Sequence, residues 1–297
     1  MNDRLPESTL RIGLPSGSMQ QSTLELFARA GYHIALDARS VFPRFDDEKI
    51  SAVMFRSQEI SRYVVDGITD CGLCGHDWIV ENGNEADVVS ISELVYSRAS
   101  NLPARWVLAV PDESPIRSVR DFEGKIVATE IVSIVRNYFQ RHGVNVTVEF
   151  SWGTTEVKAR LLDGIVELTE SGSSIRANNL RVIDTILSST IRFIANRKSW
   201  DVPWKREKME NIAMLLRGAI EARAKVGLKM NVPEQKLADV VSFLPAEKAP
   251  TVSRLSDKDW VAVEVILEEK QERELIPRLK RAGATGIITY PLNKVIP

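Results

Sequence analysis

Asp163-Gly164-Ile165-Val166-Glu167-Leu168-Thr169-Glu170-Ser171-Gly172-Ser173-Ser174-Ile175 concentrates more binding chemistry than any other stretch of this chain. Ile165 to Leu168 read as a short buried strand, and the hydroxyl-rich turn after them leads into a helical pattern starting near Ile175. In outline this is a phosphate cradle. Gly172 lets backbone approach a ligand, amides at a helix start point outward unpaired, and Ser171, Ser173 and Ser174 add hydroxyl donors. Glu167 and Glu170 stand just before it. Acids beside a phosphate loop need a second role, such as binding ribose hydroxyls or a magnesium ion, or facing positive charge that develops on a sugar. Equally, a Ser/Gly turn between strand and helix is an ordinary connection in any α/β protein.

Upstream the pattern alternates. Strand Lys125 to Ala128, helix Val132 to Arg141, strand Val146 to Phe150 and helix Glu156 to Leu162 lead into the strand at Ile165, which predicts βαβ units and a largely parallel sheet. Gly153 and Thr154 lie in a second loop at the same ligand edge, although the hydroxyl of Thr154 or Thr155 also reads as a helix cap.

Nearer the N-terminus, Leu10 to Leu14 form a short apolar run, Pro15-Ser16-Gly17-Ser18 a loop, and Leu24, Leu26, Phe27 and Ala30 an amphipathic helix ending at Gly31. A strand over Ala52 to Phe55 and a helix over Gln58 to Val65 follow. Asp66 to Trp78 then supply a strand, a glycine-punctuated turn and a short helix. Strand Arg105 to Pro111 is followed by a polar segment, Asp112 to Arg120, read as a crossing into a second lobe, and the strands Arg181 to Leu187 and Ile191 to Ala195 carry the chain back. Two crossings predict a hinged, two-lobed α/β architecture of the periplasmic-binding-protein type. Lobe I is expected over 1–108 and 189–226, and lobe II over 109–188. Pro203 opens a long helix with the apolar stripe Ile212, Leu215, Leu216, Ala219 and Ile220; Lys205-Arg206-Glu207-Lys208, mixed in sign, reads as its solvated face.

After Gly227 the grammar changes. Strands at Leu228 to Val232, Thr251 to Leu255, Trp260 to Leu267 and Gly286 to Tyr290, with helices at Pro233 to Leu244 and around Leu275 to Ala282 (Pro277 in its first turn), give βαββαβ over 227–297. That is a ferredoxin-like unit of about 70 residues. With no nucleophile, metal cluster or phosphate loop, its role is regulatory or associative.

The 297 residues are 44% hydrophobic, ample for real cores, and 39 basic against 40 acidic residues leave a formal charge of −1. That balance argues against a nucleic-acid coat or a membrane surface, so any anion site must be local. No apolar run approaches the roughly 18 residues of a membrane span, and Met1-Asn2-Asp3-Arg4 lacks an apolar signal core, so a cytoplasmic location is expected. Cys71 and Cys74 form C-x-x-C, a redox pair or half a zinc site with His76 as a third ligand, or simply two small buried residues in a turn.

Glu167 to Leu180, Glu-Leu-Thr-Glu-Ser-Gly-Ser-Ser-Ile-Arg-Ala-Asn-Asn-Leu, resembles the phosphoribosyl-pyrophosphate loop of the ATP phosphoribosyltransferase family, the first enzymes of histidine biosynthesis. Gly67, Asp70, Gly72, Gly75 and Asp77 fit that family's Gly-x-x-Asp-x-Gly-x-x-Gly-x-Asp pattern, and the likeness spans essentially the whole chain in its long form. One departure concerns the first loop, where many members carry a lysine and Pro15-Ser16-Gly17-Ser18 has no cation; Arg56 is the candidate replacement. The resemblance implies that the adenine N1 of ATP displaces pyrophosphate from C1 of phosphoribosyl pyrophosphate, with Mg²⁺ arriving on the pyrophosphate rather than in a protein-built metal site. It further implies that Glu167 and Glu170 serve the reacting ribose, Ser171, Gly172, Ser173, Ser174, Gly153 and Thr154 hold phosphoribosyl pyrophosphate, and Ser16, Gly17, Arg56, Gly75 and Asp77 hold ATP. His76 reads equally as a capping residue. The long form also implies an ACT-like C-terminal domain binding inhibitory histidine through Thr251, Val252, Ala284, Thr285 and Gly286, in a homo-oligomer from dimer to hexamer.

Two other classes fit the same pattern. A cytosolic two-lobed small-molecule sensor explains a cleft but not an acid-flanked phosphate loop, and a metabolite-responsive scaffold uses only the tail.

Overall fold

The alternating runs fold as two five-stranded sheets and a separate four-stranded sheet, seen in a computed structural model that describes residues 8–37, 40–96, 102–245 and 249–296. The chain starts with β1 (Leu10–Pro15), α1 (Gln20–Ala30), a two-residue pair β2 (Ile34–Ala35) and β3 (Arg44–Phe45), then β4 (Ile50–Phe55), α2 (Ser57–Val65), β5 (Cys71–Gly75), α3 (His76–Glu81) and β6 (Val88–Leu94). Leu10, Ile12 and Leu14 of β1 are fully buried, as expected of a strand covered on both faces.

The second sheet takes β7 (Ala104–Pro111), β8 (Ile126–Thr129), α4 (Val132–Arg141), β9 (Thr147–Phe150), α5 (Thr155–Lys158), β10 (Gly164–Thr169), α6 (Ser173–Ala177) and β11 (Leu180–Ser189). The chain returns through β12 (Ile191–Asn196), α7 (Arg197–Trp200) and α8 (Pro203–Glu221). Strand order is β4-β1-β5-β12-β6 in the first sheet and β11-β7-β10-β8-β9 in the second. In each sheet four strands run parallel and one runs against them, β12 between β5 and β6 in the first and β7 between β11 and β10 in the second. Trp106, Phe122, Phe139 and Val166 lie in the second lobe's main core.

Several expectations change. β7 pairs with β10 and β11 along its length, so the first crossing falls between β6 and β7, before residue 104, and the polar segment 112–120 stays inside the second lobe. The helix expected over Glu156 to Leu162 is cut to Thr155–Lys158, because Val157 and Leu161 are 60% and 78% exposed and offer no buried stripe. Cys71 and Cys74 sit within β5 rather than in a turn. The Lys205 to Lys208 segment is no plain solvated face, since Lys205 and Lys208 pair with Asp70 and Asp47.

The chain divides into two compact units, the first ending at Ala213 and the second beginning at Met214, inside α8. The second unit holds β13 (Lys225–Pro233), α9 (Leu237–Ser242), β14 (Thr251–Arg254), β15 (Trp260–Glu268), α10 (Glu272–Arg281) and β16 (Thr285–Pro291), the expected βαββαβ order, with its first strand starting at residue 225. The sheet order is β14-β15-β13-β16. Val261, Val263, Val265 and Leu267 of β15 are buried together against Leu275 and Leu279. Pro277 is in the middle of α10, not its first turn, because a 3-10 turn at Glu269–Gln271 precedes the helix; its ring faces solvent, where the carbonyl left without a donor can take water.

Candidate active site

A cavity of about 280 Å³ opens between the lobes of the first unit, with Ser16, Gly17 and Arg56 on one wall and Glu130, Glu167 and Glu170 on the other. All these residues stand at or just beyond the carboxyl ends of β1, β4, β8 and β10, the edge where open α/β sheets bind ligands.

Glu167 is the outstanding group chemically. Burial, then the charge of Glu156 and to a smaller degree that of Glu130, push its carboxyl up from 4.5 to about 7, against hydrogen bonds from Thr155 and the Leu168 amide that favour the ionised form. Glu156 and Glu130 do not stand out in the sequence pattern; Glu130 directly follows β8 and Glu156 lies in the first turn of α5, the only local signals they carry. Thr155 is fully buried and hydrogen-bonded through Oγ1 to Ser151 Oγ at 3.0 Å. Neither Thr154 nor Thr155 makes the expected cap: Thr154, the residue before α5, has φ 46° and no side-chain cap bond.

The Ser/Gly turn leaves β10 with the Gly172 amide donating to Thr169 Oγ1 at 2.9 Å, and Gly172 itself has φ 73°, a left-handed conformation that a side chain would strain. Ser171 Oγ donates to Ser173 Oγ at 3.0 Å. Arg176, which carries no signal in the sequence pattern, donates to the Ser171 carbonyl at 3.1 Å and brings Nη1 to 2.9 Å from where a Cβ on Gly172 would lie. The turn therefore carries a guanidinium as well as amides and hydroxyls, and α6 beyond it is only five residues long. Gly153 has φ 63° and its amide donates to Glu130 Oε1 at 3.2 Å. Ser171 to Ser174, Gly153 and Thr154 lie outside the cavity lining, which takes Trp106, Glu130, Glu167, Leu168 and Glu170 among others from that side.

On the first lobe Gly17 has φ 78°, and Arg56 Nη1 lies 3.2 Å from the position of a Cβ on it, so the missing cation of that loop has a guanidinium beside it. Gly75 and Asp77 also line the cavity, yet Asp77 is only 4% exposed. Its Oδ2 accepts the indole Nε1–H of Trp106 at 2.7 Å and its Oδ1 the Trp78 amide at 3.0 Å, so no oxygen is left without a donor. Burial, opposed by those bonds, holds its carboxyl above the ordinary range. His76 opens α3 without a side-chain cap, its amide donating to the Thr190 carbonyl at 2.9 Å. Burial raises both thiols, Cys71 and Cys74, the opposite of what a redox-active cysteine needs.

The family model described as ATP phosphoribosyltransferase matches residues 56–218, and the model of that family's C-terminal domain matches residues 222–294. An ATP phosphoribosyltransferase from Chlorobaculum parvum is 58% identical over 290 residues, covering 97% of this chain and 98% of the relative. The chain belongs to the ATP phosphoribosyltransferase family. A relative of the same name from Pelotomaculum thermopropionicum is 55% identical over 289 residues, 97% of this chain and 99% of its own. Among solved structures, the ATP phosphoribosyl transferase (HisG:HisZ) complex from Thermotoga maritima shares the fold with a TM-score of 0.60 at 24% identity, covering 72% of this chain and 98% of that one.

ATP phosphoribosyltransferases catalyse the first step of histidine biosynthesis, joining ATP to phosphoribosyl pyrophosphate with release of pyrophosphate, which makes this protein a glycosyltransferase rather than a sensor or a scaffold. No helix among the described residues is long and apolar enough to cross a membrane.

The five residues expected to hold histidine divide between the two edge strands of the C-terminal sheet. Thr251 and Val252 are on β14, while Thr285 and Gly286 open β16, with β15 and β13 between them. At about 4.8 Å per strand spacing the two groups are about 14 Å apart. Ala284 is fully buried in that unit's core.

Proposed function

We propose that ATP binds the first-lobe wall, through Ser16, Gly17 and Arg56, and phosphoribosyl pyrophosphate the second, its 5-phosphate on the Ser171 to Ser174 turn beside Arg176 with the Gly153 loop alongside. The observation that supports this reading best is Glu167, a half-ionised carboxyl facing Gly17 and Arg56 across a single cavity. The adenine N1 lone pair attacks C1 of the ribose, the N1–C1 bond forms, and the C1–O bond breaks with its electron pair leaving on pyrophosphate. N1 has a free lone pair and needs no general base, so alignment of two polyanions supplies most of the acceleration. Positive charge growing on the ribose draws Glu167 into its ionised form, and the carboxylate stabilises that charge at the moment it appears.

The cavity offers Mg²⁺ only the separate carboxylates of Glu130, Glu167 and Glu170, and no three His, Cys, Asp or Glu among the described residues are grouped to hold a metal by themselves, which suits an ion that enters with most of its oxygen ligands from the substrate. Carried in on pyrophosphate, the ion would neutralise the leaving group's charge.

The C-terminal unit is a histidine-responsive brake in a cytoplasmic homo-oligomer of two to six copies. Because its candidate contacts occupy opposite sheet edges, the histidine pocket forms where β14 of one copy meets β16 of another. Glu167→Gln tests the catalytic assignment: followed through the ultraviolet change on adenine alkylation with ATP, phosphoribosyl pyrophosphate and Mg²⁺, turnover is expected to fall about 10²-fold. Full turnover in that variant would reject it.

A further inference from the structure

Gly75 and Asp77 stand out in the sequence, but the displacement chemistry gives them no role. We propose that Gly75, Asp77 and Trp106 form a tie between the lobes that fixes the spacing of the two substrate walls, with Asp77 and Trp106 acting as positioning residues for turnover.

The tie is built from both sides. Asp77 belongs to α3, which β5 feeds from the first lobe; Trp106 is on β7 of the second, where it pairs with Leu168, the neighbour of Glu167. A Cβ on Gly75 would lie 2.1 Å from Asp77 Oδ1, so only glycine leaves room for the carboxylate to fold back under the turn and meet the indole. The Asp77 amide also reaches the second lobe, donating to Ser189 Oγ at 3.1 Å. Beyond them the rings of Trp78 and Trp106 meet edge-on at 88° and 6.3 Å, and Trp78 and Val80 pack on the second lobe's core. At the far end of α3, Glu81 accepts the Ser133 and Ile134 amides at 2.9 and 3.0 Å. Those are orphan donors of the first turn of α4, whose own N-cap, Ile131, offers no side-chain oxygen. Thus α3 is anchored in the second lobe along its whole length.

Asp77 and Trp106 line the cavity with the carboxylate already taken up by the indole and the Trp78 amide, so loosening the tie acts chiefly by letting the walls drift, and displacement of about 1 Å from alignment costs about 10²-fold in rate. The inference rests on the proposed division of ATP and phosphoribosyl pyrophosphate between the walls. The test measures kcat, and the Kd of each substrate alone by calorimetry, in Trp106→Phe, Asp77→Leu, Asp77→Asn and Glu81→Ala. Trp106→Phe and Asp77→Leu should lower kcat about tenfold or more with each Kd within about twofold, and Glu81→Ala, at a partly exposed position, about threefold with the same constancy of Kd. Asp77→Asn, whose amide oxygen still accepts the indole N–H, should recover most of what Asp77→Leu loses. Full kcat in Trp106→Phe overturns the tie, as does loss of single-substrate affinity in step with kcat; if that variant shows no cooperative melt, Glu81→Ala decides by the same criteria. Glu167→Gln, assayed in parallel, separates the two ideas: an active Glu167→Gln rejects the site assignment, whereas an inactive one beside fully active tie variants rejects the tie alone.

Discussion

Lys205 Nζ lies 2.8 Å from Oδ1 of Asp70, a carboxylate with 1% of its side chain exposed. Ser199 Oγ donates to the same oxygen at 2.7 Å and the Arg11 amide to Oδ2 at 2.8 Å, so the start of α8, α7 and β1 converge on one buried charge. Burial alone would raise this carboxyl; the Lys205 bond and those from Arg11 and Ser199 outweigh it, and the net shift is downward. Removing Lys205 leaves the charge buried with fewer partners, and Lys205→Ala should cost about 2–3 kcal/mol, below the roughly 3–5 usual for a broken buried pair because Arg11 and Ser199 remain. A depressed pKa contributes stability above the unfolded value and loses it as pH falls through the folded one, so the wild type's advantage should shrink below about pH 4. Denaturant melts at pH 7 and pH 3 check both; an advantage equal at the two values would contradict the assignment.

Glu167 gives the opposite pH signature. Its folded value, about 7 against a reference of 4.5, means that the native state holds a proton the unfolded chain has released. Its contribution to stability is therefore present below about pH 4.5 and is lost as pH rises to about 7, by an amount up to about 3 kcal/mol. Glu167→Gln is neutral throughout and keeps an oxygen for Thr155 and the Leu168 amide. The variant should melt higher than wild type at pH 8 and show no such gain at pH 4, even though its turnover collapses. A melting difference that is flat across this range would mean that the carboxyl is not poised near neutrality.

The elements read from periodicity were legible because their burial patterns are local: β1, β10 and β15 announce themselves by apolar runs or strict alternation, and the change of grammar after α8 marks a new unit. Relations between distant segments were not. Nothing near Asp77 reveals that Trp106 will supply its donor 29 residues later, nor does anything near Lys205 point to Asp70. Arg176 was invisible because its role depends on the left-handed turn at Gly172, which lets the guanidinium reach back to the Ser171 carbonyl, and the Thr251 and Thr285 groups were joined by a likeness that carries no strand order. The hydroxyl at Thr155 was visible as a cap but acts instead on the carboxyl of Glu167 on β10.

Gly172→Val should act on phosphoribosyl pyrophosphate alone. A Cβ at φ 73° is strained by about 1–2 kcal/mol and would also meet Arg176 at 2.9 Å, displacing the guanidinium from the turn. Calorimetry should show that the Kd for phosphoribosyl pyrophosphate rises about tenfold or more while that for ATP stays within about twofold. Equal weakening of both would mean that the two substrates do not divide between the walls in this way.

Histidine sensitivity should depend on two copies of the C-terminal sheet. Bound histidine can inhibit a distant cleft only by preferring one arrangement of copies, since equal affinity for both shifts nothing, and a coupling of about 1–3 kcal/mol gives about fivefold to 150-fold inhibition. With Thr251 and Thr285 on opposite edge strands, a pocket using both needs β14 from one copy and β16 from another. Thr251→Trp and Thr285→Trp, each alone, should then abolish histidine sensitivity, because every junction in a uniform oligomer carries the damaged edge. When the two variants are co-assembled, a mixed junction joins the intact β14 edge of the Thr285→Trp chain to the intact β16 edge of the Thr251→Trp chain. Part of the inhibition should return in the mixture, and calorimetry should recover histidine binding absent from either variant alone. A mixture as insensitive as its parents, while still forming mixed oligomers, would place histidine within a single copy.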